Sequence, residues 1–280
     1  MSSAVLPAPN APARPPRRRR SRLVLPVYTG LVMLYLVFPI LIMVLYGFNR
    51  SNSDHLTFQW NGFTLDWYRR LFEISDLTAA LRNSLFIAVV STLIATVLGT
   101  LMGLALVRYR FRGKGSSELV LFMNIAAPEI VLGASLLALF VQLHIPLGIL
   151  TIILAHVMFN VSYVAITVRA RLVGFDRSLE EAAQDLGANA WTTFRKVTLP
   201  LIWPGVLAGA LLAFALSIDD FVITNFVSGP KVTFPLWVFG AARVGIPPQV
   251  FVMGTLIFVF GVLLAAGNLF VQRSGKPLKP

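Results

Sequence analysis

The chain has 280 residues, of which 56% are hydrophobic and 13% are charged, and it contains no cysteine. A soluble domain of this length keeps far more charge on its surface, so the composition indicates a chain that lies mostly in lipid. The absence of cysteine excludes disulfide scaffolds and thiolate metal sites. The formal net charge is +12, but the basic residues lie between long apolar runs, which argues against nucleic-acid binding.

The first 22 residues form a low-complexity segment in which proline and alanine precede a run of arginines. Such a segment cannot bury enough apolar area to fold, so residues 1–22 are predicted to be a disordered tail. The apolar run that follows, Leu23–Phe48, is too long for the hydrophobic part of a signal peptide, and no small-residue cleavage site follows it. We interpret it as an uncleaved first membrane span.

Six apolar stretches are predicted to cross the membrane, because a helix needs about 20 apolar residues to span the hydrocarbon core. They are residues 23–48, 83–107, 119–143, 147–167, 201–218 and 250–271. The sequence therefore predicts an all-α integral membrane fold of six transmembrane helices. This membrane domain covers residues 23–272, and a short tail covers 273–280. Two patterns of small residues, Gly99/Gly103 and Gly205/Gly209, are interpreted as close helix-packing positions.

The basic residues predict the orientation of these spans. If the amino terminus is cytoplasmic, 18 of the 24 Lys and Arg residues lie on the cytoplasmic side, in the two tails and in the loops at 108–118 and 168–200. Cytoplasmic segments carry such an excess, so both termini are predicted to be cytoplasmic. The segments at about 49–82, 144–146 and 219–249 are then external.

The cytoplasmic segment at residues 175–200 has too much helical pattern for a simple connector. Ser178 and Glu181 have the spacing of a capping box, and an apolar stripe follows at helical spacing: Leu179, Ala182, Ala183 and Leu186. Gly187 stands where a helix end requires a left-handed residue. A second short helix is predicted from Asn189 to Val197. The segment is therefore predicted to be a two-helix elbow with an exposed small-residue stripe, suited to docking in a groove of another protein.

This elbow resembles a known family. Glu181-Ala182-Ala183, then Gly187 after three residues, then Val197-Thr198-Leu199-Pro200 after nine more, is similar to the EAA loop of binding-protein-dependent ABC importer permeases. The family favours isoleucine where this chain has Val197. The resemblance implies a type I ABC permease fold, with a loop that forms the coupling helix in a cleft of the cytoplasmic ATPase. It assigns coupling to Glu181, Ala182, Ala183, Gly187, Leu199 and Pro200.

The resemblance also implies partners. Gly113-Lys114 and Gly275-Lys276 both lack the upstream glycine of a phosphate-binding loop, so ATP hydrolysis is expected in a separate subunit that binds ATP and Mg. The expected partners are two such ATP-binding subunits, a second permease in a heterodimer, an extracytoplasmic substrate-binding protein and membrane lipid. The chain itself is expected to be a non-enzymatic, cofactor-free protein of the bacterial inner membrane.

A narrower resemblance covers most of the chain from Trp60 onward. The segments NGFTLDWYRRLF (61–72), NSLFIAVVST (83–92) and LSIDDFVITNFVSGP (216–230) look like the spermidine/putrescine permeases, and more like the second permease of the pair. This implies a polyamine substrate, which carries several ammonium groups and therefore needs carboxylates and aromatic faces. The candidates for the substrate pathway are Glu129, Ser217, Asp219, Asp220 and Trp60.

Most of these candidates also have a purely structural interpretation. Asp219 or Asp220 could cap a short helix over 221–227. Glu129, which lies inside a predicted span, could bond to backbone that Pro128 leaves free. Trp60, Trp67 and Tyr68 could form an aromatic belt at the membrane interface. His156 is interpreted as a packed polar residue rather than a proton relay or a ligand.

Three other functions remain open at this stage. The same class of permease could carry an iron complex, an aminophosphonate or an amino acid. A secondary transporter or channel would be driven by an ion gradient and would tolerate changes in residues 175–200. A membrane-embedded enzyme ranks last, because the sequence has no metal cluster and no paired catalytic residues.

Overall fold

The computed structural model describes residues 21–51, 59–174 and 176–274, with side chains described from residue 24 to 267 within those ranges. Most of the predicted amino-terminal tail, Phe175 and most of the carboxy-terminal tail lie outside the described residues. The described chain is helical. In chain order its helices are α1 (Ser21–Tyr46), α2 (Asp66–Arg69), α3 (Ser75–Arg108), α4 (Lys114–Ala126), α5 (Glu129–Gln142), α6 (Ile149–Val173), α7 (Ser178–Asp185), α8 (Ala190–Thr193), α9 (Leu199–Asp219), α10 (Val222–Val227), α11 (Phe234–Val244) and α12 (Pro248–Ser274).

Five helices in the described residues are long and apolar enough to cross a membrane, and a sixth crossing is possible if a bent pair counts as one span. The bent pair is α4 and α5, whose axes meet at 109°. Residues 119–143 were predicted as one span, and the structure divides them between these two helices. Pro128 has no amide hydrogen, and both it and Ala127 are extended, so the helix stops at Ala126 and restarts at Glu129.

The predicted second helix of the elbow is also corrected. α8 continues through a π-helical turn, Phe194–Thr198, directly into α9. The three pieces form one continuous rod from Ala190 to Asp219. The apolar pattern identifies only the lipid-crossing part of this rod, because its first turns carry Arg195 and Lys196. For the same reason α3 begins at Ser75, eight residues before its predicted apolar core.

The core of the bundle is formed by α3, α6 and α9. Val164 of α6 lies between two glycines: a Cβ at Gly99 of α3 would stand 2.6 Å from the Val164 Cβ, and one at Gly209 of α9 would stand 3.4 Å from its Cα. Gly103 of α3 and Gly205 of α9 lie as close to α6 as Gly99 and Gly209 do. The small-residue patterns are therefore confirmed as packing positions, where the missing side chains let the helices approach.

The remaining helices pack around this core. α5 packs against α10, and α1 packs against α12. Along α1 the apolar side chains are mostly exposed, as expected for a helix that faces lipid. On the outer side, Trp67 and Tyr68 of α2 pack in a cluster with residues of α11 and α12, and the Trp67 indole donates a 2.8 Å hydrogen bond to the Asn49 carbonyl. Both rings thus have protein neighbours.

Candidate functional site

A buried polar cluster lies at the outer end of the core, and we call it the outer cluster: Ser91 of α3, His156 of α6, Ser217 of α9, Asp220 between α9 and α10, and Thr224 of α10. The His156 Nδ1 is 2.6 Å from the Ser217 hydroxyl, which is 3.0 Å from the Ser91 hydroxyl. The other ring nitrogen is 2.9 Å from the Thr224 hydroxyl. Both nitrogens of His156 are thus hydrogen-bonded, and the side chain is buried in the bundle.

Asp220 closes the outer cluster. Its Oδ2 accepts hydrogen bonds from the Thr224 amide at 2.8 Å and the Thr224 hydroxyl at 2.6 Å, and it lies 3.2 Å from the His156 Nε2. α9 ends at Asp219, and Asp220 is extended, so its side chain turns back over the first turn of α10. Asp220 thus bonds an amide in the first turn of this short helix from the position before its N-cap, Phe221. This bond satisfies an amide that the helix leaves without a partner.

The neighbouring Asp219 lies on a different surface. Its side chain is exposed, as is that of Glu129 at the first turn of α5. The two carboxylates are within electrostatic range of each other, and Glu129 is also within range of the Tyr163 hydroxyl on α6. We call Glu129, Tyr163 and Asp219 the acidic face. It brings together two of the predicted pathway residues, which are 90 positions apart in the chain.

An open groove of about 650 Å³ adjoins the acidic face, between the outer end of α9, α11 and α12. Asp219 lines it together with the rings of Phe221 and Phe239, whose centroids are 4.6 Å apart. Phe239 also stacks under the Arg243 guanidinium at 4.9 Å. A carboxylate beside aromatic faces is a suitable environment for an alkylammonium group, because both attract a cation.

Trp60 belongs to another part of the fold. It lies on a loop, residues 59–64, that folds back against the end of α1, where Asn49 binds the Gln59 carbonyl and the Asn61 amide. The Trp60 side chain is half exposed. In the part of the chain that the structure describes, no group of three His, Asp or Glu residues could hold a metal ion.

On the inner side, α7 forms the first half of the elbow. Its start differs from the prediction: Ser178 and Glu181 do not form a capping box. Instead the Ser178 amide donates a 2.9 Å hydrogen bond to Oδ1 of Asp176. Bonding to Ser178 lowers the pKa of the Asp176 carboxyl below its ordinary value, because the bond favours the ionised form. Asp176 is better placed than Ser178 to accept a hydrogen bond from the start of α7, since it stands before the first helical residue.

The end of α7 is as predicted. Gly187 has a φ of +87° and ends the helix, with its amide bonded to the Gln184 carbonyl. The residues of the predicted stripe are exposed or partly exposed, and Leu186 is 90% exposed. Trp191, at the start of the next rod, is also mainly exposed. An apolar surface of this kind on a charged elbow is typical of a docking site for another protein.

Comparisons with known proteins agree with this architecture. The family model described as "Binding-protein-dependent transport system inner membrane component" matches residues 95–276. The spermidine/putrescine transport system permease protein PotC of Haemophilus influenzae is 41% identical over 243 residues, which are 86% of this chain and 93% of that protein. The putrescine transport system permease protein PotI of Escherichia coli (strain K12) is 42% identical over 231 residues, 80% of this chain and 81% of that protein.

This chain belongs to that permease family. The fold of the permease is also found in a bacterial ABC transporter involved in the import of alginate, with a TM-score of 0.69 at 13% identity, over 92% of this chain and 98% of that chain. The permease is thus a multi-pass inner-membrane component of an ABC importer and is not itself an enzyme. It works with an ATPase, which binds the ATP, and with a binding protein.

Several residues of the permease sites have no signal in the sequence. Ser91, Thr224 and Tyr163 are ordinary helix residues until the fold brings them to the outer cluster and the acidic face. Glu180 was also missed, although it stands beside Glu181 of the family motif, because it lies on another side of α7. Helical rotation of about 100° per residue was the available clue, since it separates two adjacent glutamates in space.

Proposed function

We propose that this permease carries polyamines such as putrescine and spermidine through the inner membrane. The observation that carries the proposal is the exposed carboxylate of Asp219, which lines an aromatic groove and is within electrostatic range of the exposed carboxylate of Glu129. An intramembrane carboxylate is costly unless it has a function or a partner. The names of the relatives at 41% and 42% identity, which are permeases of spermidine and putrescine systems, support the same substrate class.

The five predicted pathway residues take different roles in this proposal. Glu129 and Asp219 contact the passing ammonium groups, because their carboxylates are exposed and within electrostatic range of each other. Ser217 and Asp220 hold the outer end of α9 in place, since their polar atoms are engaged inside the bundle. Trp60 offers an exposed ring on the outer side, where a binding protein delivers the substrate. Binding along the path is transient, because the substrate must also leave.

A second, similar permease completes the pathway. The acidic face and its groove are open in a single chain, and six helices alone make a poor sealed conduit. A heterodimer places this face against the partner, with lipid around the remaining apolar surface. Two ATP-binding subunits dock on the elbows from the cytoplasmic side. Their closure moves the region of Glu181, Ala182, Ala183 and Gly187, next to Leu199 and Pro200 at the start of α9, and so switches access.

The test is uptake of labelled putrescine and spermidine into vesicles that contain the complete transporter and its binding protein. We expect saturable, ATP-dependent uptake. Glu129→Gln and Asp219→Asn should each raise the substrate concentration for half-maximal uptake by about tenfold, since a hydrogen bond to a charged group contributes about 1.5–3 kcal/mol. The complex should still assemble, because both side chains are exposed.

Glu73→Gln is the matched control. Glu73 is an outer-side carboxylate that is 61% exposed and pairs with the nearby Arg70 at 3.8 Å. Its neutralisation should leave uptake unchanged. Absence of saturable polyamine uptake by the wild-type complex would reject the proposed substrate. Uptake of an amino acid, an aminophosphonate or an iron complex in the same vesicles would then identify the alternative.

A further inference from the structure

Adjacent glutamates of the elbow have opposite environments. Glu181, which belongs to the family motif, is 66% exposed and pairs with Arg177 one turn earlier on the same segment at 3.6 Å. Glu180 points toward the bundle, and its side chain is only 13% exposed. The family motif does not include Glu180, so its burial indicates a function that the motif does not describe.

One oxygen of Glu180 joins the elbow to two helices of the core. Its Oε1 accepts a 3.0 Å hydrogen bond from Nη2 of Arg108, the last residue of α3. The same oxygen accepts a 2.7 Å hydrogen bond from the hydroxyl of Thr198, the residue before α9. We call this three-residue contact the clasp. It connects positions 72 and 18 residues away from Glu180 in the chain.

The surroundings of the clasp are loosely packed. A cavity of about 400 Å³ lies between the inner end of α3, α7 and the start of the α8–α9 rod, and all three clasp residues line it. Thr198 also ends the π-helical turn, a distortion that occurs often at functional positions of helices. Beside this cavity the clasp ties α7 to the inner end of α3 and to the start of α9, while α7 also packs against α8 and the π-helical turn.

A charged contact at low exposure resists separation. Water screens it little, and breaking it would leave a buried charge without its partner. A movement imposed on α7 therefore moves the inner ends of α3 and α9 with it. These two helices form the core with α6, so the motion reaches the part of the bundle that holds the outer cluster.

We infer that Glu180 is the positioning residue that transmits ATPase-driven movement of the elbow to α3 and α9 through Arg108 and Thr198. This inference rests on the coupling role of the elbow in the proposed function. Glu181 and the exposed stripe meet the ATPase on one side of α7, while Glu180 holds the bundle on the other. Contact and transmission are thus divided between neighbouring side chains.

The test measures ATP hydrolysis and polyamine uptake together in vesicles with the complete transporter. Glu180→Gln keeps the size of the side chain and an acceptor oxygen but removes the charge. We expect it to assemble and to hydrolyse ATP, while the amount of substrate moved per ATP falls by about two- to thirtyfold. Thr198→Val should show a smaller fall. The double variant Glu180→Arg with Arg108→Glu reverses the two charges of the ion pair, and it should restore part of the lost coupling.

Glu118→Gln is the matched control, because Glu118 forms an inner-side ion pair with Arg169 at 3.1 Å that does not involve the elbow. Its coupling should equal that of the wild type. Unchanged coupling in both Glu180→Gln and Glu180→Ala would overturn the inference. It would also be overturned if neither variant assembled while the control did, since Glu180 would then serve folding alone.

A second measurement does not depend on the substrate. Hydrogen exchange, followed as vanadate traps the ATPase, should change at α7 and at the inner end of α3 together in the wild type. In Glu180→Gln only α7 should change. If the wild type takes up no polyamine but shows this joint change, the proposed substrate fails and the clasp stands. If α3 responds equally in the variant, the clasp fails whatever the substrate.

Discussion

The two ends of the α9 rod show how one helix serves two mechanical purposes. Each end attaches a short helix through a carboxylate: Asp220 attaches α10 on the outer side, and Glu180 attaches α7 on the inner side. The outer attachment is a closed network in which four other polar side chains are bonded inside the protein. The inner attachment is one oxygen beside a cavity, with the other side of α7 open.

This difference separates a fixed part from a moving part. α10 packs against both α5 and α6, and the Asp220 side chain at its start is only 9% exposed, so α10 is firmly held to the bundle. α7 has no buried residue, and its apolar stripe faces away from the bundle. A segment with few buried contacts is free to follow a partner. In the proposed mechanism the outer end therefore maintains the shape of the pathway, while the inner end receives motion.

The largest expected effect comes from opening the outer network. His156→Leu removes the ring that links α6 to Ser217 and Asp220, and leaves their buried polar atoms short of a partner. Each such loss costs about 1–3 kcal/mol, so the midpoint of thermal unfolding should fall by several degrees. A thermal melt of the purified permease in detergent measures this.

His144→Asn is the control for this change. His144 is an exposed loop residue with a φ of +56°, a conformation that asparagine tolerates well. Its unfolding midpoint should match that of the wild type. Equal midpoints for His156→Leu and the wild type would mean that the outer network is not a fixed part of the bundle.

An intermediate effect is expected at the end of the elbow helix. Gly187→Val places a β-branched residue at a φ of +87°, which costs about 1–2 kcal/mol although the space around it is empty. The apolar stripe of α7 should then be badly oriented for contact with the ATPase. The fraction of ATPase that co-purifies with the permease should fall several-fold.

Gly174→Ala tests whether this effect comes from the backbone conformation. Gly174 follows α6, has a φ of −86° and also has open space around it. Alanine should be accepted there without loss of the ATPase. If both variants lost the ATPase equally, the left-handed turn at Gly187 would not be the cause.

The smallest expected effect is at the start of the elbow. Asp176→Ala removes the acceptor for the Ser178 amide, whereas Asp176→Asn keeps one. The pKa of Asp176 is lowered in the folded protein, so its contribution is present above the ordinary carboxyl pKa and is lost only as the pH falls through the lowered value. Because Asp176 stays ionised between about pH 6 and 8, its titration should not change coupling in that range.

Hydrogen exchange at the first amides of α7 checks this prediction. Asp176→Ala should exchange faster at neutral pH, and Asp176→Asn should resemble the wild type. Protection in the wild type that changed within the neutral range would show that another group, rather than Asp176, supports the start of the helix.

Patterns within one segment led to correct predictions where a local rule was sufficient. Gly187 ends α7 because a left-handed residue is required at that point, and Gly99 and Gly103 pack closely because they share one face of α3. Local rules failed where two of them competed. Ser178 has the spacing of a cap, but Asp176 takes that role, and Pro128 divides a stretch whose hydropathy alone indicated a single span.

Two pairs of adjacent acidic residues show which features the sequence determined and which the tertiary structure determined. The sequence by itself determined that carboxylates stand at the outer end of α9 and at the start of the elbow, and that long apolar helices cross the membrane, because composition and periodicity are local. Only the tertiary structure decided that Asp220 and Glu180 turn inward while Asp219 and Glu181 stay exposed. Neighbouring side chains leave the backbone in different directions, and the side that becomes buried depends on helices distant in the chain.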